Sequence, residues 1–180
     1  MADDTALLAA LRAIQARGAI GEASLHQAIV HAEQFVAVLP PQVRTLVDLG
    51  SGGGLPGLVI AMRCHSLQVT LVERRHSRAD LLSRAVRALE LGERVNVVAD
   101  DVSVLARRLP HSFDAVTARS FAAPSITAHW AGVLLRVGGT LIVSEPPHDD
   151  AERWPASVLT TAGLADQGRE LGVRRFIRLP

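Results

Sequence analysis

The chain predicts an α/β fold built on a doubly wound, seven-stranded, mainly parallel sheet with a short helical N-terminal preface. Three observations carry that expectation. From residue 44 onward strand-like and helical segments alternate, as βα units do. The strand candidates Val69-Thr70-Leu71-Val72 and Thr140-Leu141-Ile142-Val143 show no polar alternation, the pattern of strands covered on both faces. The run Asp48-Leu49-Gly50-Ser51-Gly52-Gly53-Gly54-Leu55-Pro56-Gly57 then turns the first strand into a helix through a loop with almost no side chains.

Residues 5–16 and 22–39 both space apolar residues helically, are broken around Gly18 and Gly21, and stop at Pro40-Pro41. They form the preface, residues 1–41. The first strand begins at 44–47, and Pro56, with its fixed φ, suits the first turn of a helix whose apolar face is Leu58-Val59-Ile60-Ala61-Met62. The pattern then reads strand 68–73, helix 77–91, strand 95–99, helix 102–109, strand 113–118, helix 125–135 and strand 140–144. A helix over 154–162 and two strands, 164–169 and 173–179, turning at Gly172, close the sheet as an antiparallel hairpin. No repeat or linker interrupts residues 42–180, so residues 1–180 are expected to form a single domain.

Composition narrows the function classes. With 180 residues and 48% apolar content, a chain of this kind buries roughly 70% of its unfolded surface. No apolar run approaches the ~18 residues of a membrane span, and the start Met1-Ala2-Asp3-Asp4 is acidic where a signal peptide is basic. The expectation is a cytoplasmic protein with no membrane partner. The single cysteine, Cys64, excludes an internal disulfide and reads as a small core group. No metal is expected: His26 and His31 are five apart and do not share a helix face as i, i+4 ligands do. Adjacent residues such as His148-Asp149-Asp150 rarely converge on one ion, and Asp149 or Asp150 reads better as a helix N-cap.

The net charge of +1 gives no global argument for nucleic acid. All 19 basic residues are arginine, clustered at Arg74-Arg75-x-x-Arg78, Arg84, Arg87, Arg107-Arg108 and Arg174-Arg175-x-x-Arg178. Two readings stand: bidentate phosphate contacts, or the solvated faces of a chain that avoids lysine.

A ligand of an open α/β sheet lies beyond the carboxyl ends of the strands, where strand order reverses. The first four strands end at Asp48, Glu73, Asp100-Asp101 and Arg119-Ser120. Glu73 is placed to accept both hydroxyls of a ribose, or to complement the dipole of the next helix. Asp100 or Asp101 is placed to accept the amino group of an adenine, the other capping the helix at 102. The spacing Gly52-x-Gly54-x-x-Gly57 also fits a dinucleotide site. Against that reading, a polyphosphate at the helix start disfavours a carboxylate such as Asp48, and the chain has neither tyrosine nor lysine for hydride-transfer chemistry. Asp48 suits the cationic amino-acid end of S-adenosylmethionine, met directly or through water.

Residues 48–57 resemble the Asp-x-Gly-Ser-Gly-x-Gly-x-Pro-Gly signature of the bacterial 16S ribosomal RNA guanine-N7 methyltransferases, the glucose-inhibited division protein B family. The segment Phe113-Asp114-Ala115-Val116-Thr117-Ala118-Arg119-Ser120-Phe121-Ala122 is similar to that family's fourth strand. The resemblance covers residues 28–145 and implies a Rossmann-like class I methyltransferase. It implies an S-adenosylmethionine site lined by Gly50, Ser51, Gly52, Gly54 and Glu73, with Arg119 beside donor or acceptor as the candidate catalytic residue. The implied acceptor is a guanine of 16S ribosomal RNA. The chain departs from the family at Ala28-Ile29-Val30-His31-Ala32, where a His-x-x-Asp-Ser element is usual, and at Ser144-Glu145-Pro146-Pro147 after the fifth strand. These departures keep two alternatives open: a small-molecule acceptor, and a catalytically silent relative that binds the donor.

Overall fold

The computed structural model describes residues 2–22, 24–147 and 151–180. The preface is α1 (Ala2–Gln15) and α2 (Leu25–Ala37). The Ser24 hydroxyl opens α2 by accepting a hydrogen bond from the Gln27 N–H at 3.5 Å, using one of the donors a helix start leaves free. There follow β1 (Thr45–Leu49), α3 (Gly57–Arg63), β2 (Gln68–Val72), α4 (His76–Ala88), β3 (Val95–Val98), α5 (Val102–Arg108), β4 (Phe113–Ala118), α6 (Pro124–Leu134) and β5 (Leu135–Ser144). A 3₁₀ turn (Ala151–Arg153), α7 (Ala156–Ala162), β6 (Leu164–Glu170) and β7 (Val173–Arg178) complete the chain. The proposed capping role of Asp149 or Asp150 lies outside the described residues.

The seven strands form one sheet in the order β3-β2-β1-β4-β5-β7-β6. All neighbours are parallel except β7, which runs antiparallel to both β5 and β6. The expected doubly wound sheet and closing hairpin are therefore present. The chain steps outward from β1 to β3 and then crosses back to β4, so the strand order reverses between β1 and β4.

β1 is an interior strand, beside the central β4, and is covered on both faces. Leu46 joins the core made by α1 to α4, while Val47 and Leu49 join the core made by α5, α6 and α7. Full burial of such a side chain contributes roughly 1.5–3 kcal/mol. At the amino end of the sheet the buried Asp114 carboxylate fixes the chain. Its Oδ2 accepts hydrogen bonds from the Arg44 and Thr45 N–H groups at 2.6 and 3.0 Å, and its Oδ1 pairs with Arg136 Nε at 2.8 Å.

The preface helices start about three residues from the sequence reading, at Ala2 and Leu25 instead of 5 and 22, and two boundaries within the βα series also move. β5 starts at Leu135 instead of 140, because α6 leads straight into extended chain and Leu135 pairs with Phe113 ahead of a register shift. Gly138, at φ +77, carries the strand through that irregularity. α4 ends at Ala88, three residues early, where Leu89 caps it and Glu90 turns to φ 55. Cys64 is a half-buried residue closing α3, less enclosed than expected. Among the described residues no helix is long and apolar enough to cross a membrane, and no group of side chains is arranged to hold a metal ion.

Candidate functional site

The loop after β1 is shaped by its own backbone bonds. The Ser51 N–H donates to the Val72 carbonyl at 2.9 Å, the Ser51 hydroxyl to the Asp48 carbonyl at 2.9 Å, and the Gly54 N–H to the Ser51 carbonyl at 2.7 Å. The glycines divide into two kinds. A Cβ on Gly53 would run into Ile20 and lie 2.9 Å from the Ala19 carbonyl oxygen, and one on Gly54 would run into Leu58. These two are small because neighbouring chain packs against them. Gly52 has φ +54, and a Cβ there would meet the Gly50 carbonyl oxygen at 3.6 Å, an ordinary contact, so the backbone conformation and not crowding calls for glycine.

Glu73, just beyond β2, is buried and held at both oxygens. Its Oε2 accepts the Gly52 N–H at 3.0 Å and its Oε1 the Arg75 N–H at 2.8 Å. A carboxylate has about four acceptor sites, so two remain for a ligand. The Glu73 carboxylate forms one wall of a cavity of about 420 Å³ beyond the strand ends. Gly50, Asp100 and Asp101 also line it. Ser51 and Gly54 lie buried in the loop behind, and Gly52 reaches the wall through its bond to Glu73.

The two adjacent aspartates separate by role. Asp101 is exposed and caps α5, its Oδ1 accepting the Ser103 N–H at 2.9 Å, and the Ser103 side chain first, then that N–H, hold its carboxyl below the usual range. Asp100 is half-buried, and its Oδ1 accepts the Asp101 N–H at 2.8 Å.

Sequence reasoning missed the opposite wall. Phe121, Ile126 and Trp130 give the cavity an apolar side, and Arg74, Arg75 and Arg78 give it a cationic rim. The available signal was position: Phe121 stands directly after Arg119-Ser120, at the same sheet edge as the carboxylates. Trp130 is half-buried in the cavity wall, edge-on to His129 at 4.8 Å. Trp154, by contrast, is a core residue, tilted against Phe176 at 4.7 Å and donating to Glu145 Oε1 at 2.7 Å.

Asp48 and Arg119 lie apart from the cavity lining. Asp48 is 1% exposed, with its Oδ1 accepting the Thr117 hydroxyl at 2.8 Å. A Cβ on Gly57 would come within 2.8 Å of Oδ2, so that glycine makes room for the carboxylate. Burial pushes the Asp48 carboxyl up to about 6, against the opposing effects of the Thr117 hydroxyl and the Arg119 charge. Arg119 is half-buried after β4, and its Nη1 has no hydrogen-bond partner among the described residues. Burial also pulls the His31 imidazole, on α2, below its usual value, and the Arg119 charge adds to the effect. Asp48, Arg119 and His31 thus share one electrostatic neighbourhood between the preface and the sheet.

The arginine clusters do not converge on one cleft. Arg174 pairs with Asp166 at 2.7 Å, Arg175 with Glu170 at 3.9 Å, and Arg178 donates to the Gly132 and Gly163 carbonyls at 3.1 and 3.0 Å. The C-terminal cluster stitches the hairpin to α6 and α7, while Arg74, Arg75 and Arg78 border the cavity.

Residues 18–160 match the family described as GidB, rRNA small subunit methyltransferase G. The chain is 42% identical over 139 residues to the ribosomal RNA small subunit methyltransferase G of Salinispora arenicola, covering 74% of this chain and 57% of that one. To the protein of the same name from Stenotrophomonas maltophilia it is 38% identical over 132 residues, covering 68% of this chain and 61% of that one. The chain thus spans little more than half the length of these curated relatives. Among solved structures it is similar to an O-methyltransferase family protein from Burkholderia thailandensis, with a TM-score of 0.64 and 19% identity over 86% of this chain and 55% of that one. It is also similar to cofactor-bound Rv0187 from MTB, with a TM-score of 0.64 and 18% identity over 99% of this chain and 90% of that one. At such identities these two likenesses speak for the fold. The match over residues 18–160 and the identity to the curated relatives decide the family: the chain belongs to the rRNA small subunit methyltransferase G (GidB) family.

Proposed function

We propose that the chain is an S-adenosylmethionine-dependent methyltransferase acting in the cytoplasm on N7 of a guanine in 16S ribosomal RNA, with preface 1–41 and core 42–180 working as one domain. One observation carries the donor reading. The glycine turn after β1, the Glu73 carboxylate after β2 and the Asp100 carboxylate after β3 converge on one cavity beside the point where strand order reverses. The carboxylates on one wall and Phe121 and Trp130 on the other suit a nucleoside, polar at the sugar and flat at the base. The acceptor reading rests on the family and on the names of the relatives.

When bound, S-adenosylmethionine supplies a methyl group carried on a cationic sulfur. The residues of the chain do the rest by holding and orienting. The two free acceptor sites of Glu73 take the ribose hydroxyls, Asp100 takes the adenine amino group, and Phe121 and Trp130 cover the base. Gly52 lets backbone approach the ligand where a side chain would intrude. Arg119, beyond β4, orients the acceptor with a guanidinium donor that has no partner among the described residues. Guanine N7 is a lone-pair nucleophile that loses no proton at that atom, so positioning at attack distance suffices and no general base is needed.

Two measurements test the two halves of this reading separately. Calorimetric titration with S-adenosylmethionine tests the donor, and absence of binding would overturn it. Mass mapping of 16S ribosomal RNA from the source organism after deletion tests the acceptor. An unchanged N7-methylguanine content, with no second enzyme of this type present, would leave a small-molecule acceptor as the better reading.

A further inference from the structure

Beside the cavity lies a second depression of about 390 Å³, between the turn that ends α1 and the outer face of α4. Its charged lining is Arg17, Arg78, Arg84 and one carboxylate, Asp80, and its uncharged lining is Gly18, Ala19, Ser77 and Leu81. Arg78 lines both this groove and the cavity, so the two adjoin at that side chain. Among the described residues the guanidinium groups of Arg17, Arg78 and Arg84 form no ion pair. Arg63, Arg136, Arg174 and Arg175, in contrast, all reach carboxylates. The chain has 18 acidic residues for its 19 arginines. Three unpaired arginines in one groove are therefore a local excess of positive charge in a nearly neutral protein.

We propose that this groove is the docking track for the phosphodiester backbone of the RNA strand that delivers its base to the cavity, an inference that rests on the RNA acceptor proposed above. Guanidinium groups meet phosphate oxygens with paired donors and stay charged throughout the physiological range. Arg78 and Arg84 are six residues apart, about 9 Å along the helix axis, so they engage different phosphates of one strand. Gly18, Ala19 and Ser77 add little side-chain bulk to the groove between the arginines. Contacts of this kind fix the register and direction of a nucleic acid without reading its sequence. Arg78, at the junction, then stands where the strand turns from the groove toward the cavity.

The test compares the wild-type protein with the double variant Arg17→Ala/Arg84→Ala and with Arg175→Ala, a hairpin arginine already paired with Glu170. The probe is protein-free 16S ribosomal RNA transcript, bound over a salt series and measured by filter retention. S-adenosylmethionine affinity is measured in parallel by calorimetry. Each single-stranded phosphate contact contributes about 0.7 to the slope of log affinity against log salt. The double variant should show a slope shallower by about 1.4, with donor affinity unchanged, while Arg175→Ala keeps the wild-type slope. Equal slopes for wild type and double variant would overturn the track, because the RNA would then run elsewhere. Loss of donor affinity in the double variant would also overturn it, since the effect would pass through the cavity. If the wild-type protein binds the transcript with no salt dependence, the RNA reading itself falls, and this result is distinct from the other two.

Discussion

The Gly52 N–H donates to Glu73 Oε2 at 3.0 Å and ties the loop after β1 to the end of β2. With the Arg75 N–H on the other oxygen at 2.8 Å, the carboxylate is oriented by the backbone alone. Glu73→Ala should therefore do two things. Losing charged hydrogen bonds to a ribose costs about 1.5–3 kcal/mol, or roughly ten- to hundredfold in donor affinity. The two stranded N–H groups should also lower the melting temperature, an effect that Glu73→Gln relieves only in part, because its single amide oxygen accepts one of the two N–H groups while its NH2 faces the other. Titration calorimetry and thermal melts on both variants separate the two effects, and an unchanged dissociation constant in Glu73→Ala would place this carboxylate outside the donor site.

The two kinds of loop glycine predict different effects on donor affinity. Gly53→Ala forces a methyl group against Ile20 and the Ala19 carbonyl, an overpacking that typically costs about 1–3 kcal/mol. It should lower the unfolding midpoint while leaving donor affinity, measured well below that midpoint, close to wild type. Gly52→Val meets no such packing obstruction, although φ +54 strains any residue but glycine and so costs stability as well; its side chain occupies the ligand's approach, so donor affinity measured well below the unfolding midpoint should fall at least about tenfold. Full binding by Gly52→Val would sink the assignment of that face.

Asp48 makes stability depend on pH with a definite sign. Its carboxyl rises from 3.8 to about 6 on folding, so the folded chain holds the proton more tightly than the unfolded chain does. The contribution is fully present below 3.8 and is lost as pH rises through about 6. Its size is on the order of 3 kcal/mol. Asp48→Asn does not titrate and keeps an oxygen for the Thr117 hydroxyl. Chemical denaturation between about pH 4 and pH 7 should show the wild type losing stability relative to Asp48→Asn as pH rises, and a pH-independent difference would contradict the burial argument.

For Arg119 the separation is between turnover and binding. If its unpaired guanidinium nitrogen orients the acceptor, Arg119→Ala should lower kcat more than it weakens donor affinity. Parallel losses in both would make it a donor clamp, and normal turnover would remove it from the site.

The strands and the carboxylates at their ends were legible because they are written locally. A continuous apolar run gives a strand buried on both faces, and an acid after it marks the carboxyl edge of the sheet. The start of β5 was illegible since it depends on a register shift against β4. Asp100 and Asp101 look alike in sequence, and only the Ser103 N–H tells them apart. The arginines were the least legible of all. Whether Arg174 is bound or free depends on Asp166 across a hairpin, and Arg63 depends on Asp4 and Glu33 from two other helices. The apolar wall from Trp130 was hidden because a tryptophan on an apolar helix has the same pattern in a core as in a cavity.

The Asp114 carboxylate holds β1, β4 and the start of β5 together at the end of the sheet opposite the cavity. The strands are therefore pinned like the ribs of a fan at its pivot, with the loops that meet the ligand at the spread edge. Any adjustment that follows binding is confined to that edge, where the segments after β1, β2 and β4 are loops and can shift without breaking a ladder. Loosening the pivot, as Asp114→Ala would do, should therefore blur the spacing between Glu73 and Arg119 although neither residue touches Asp114.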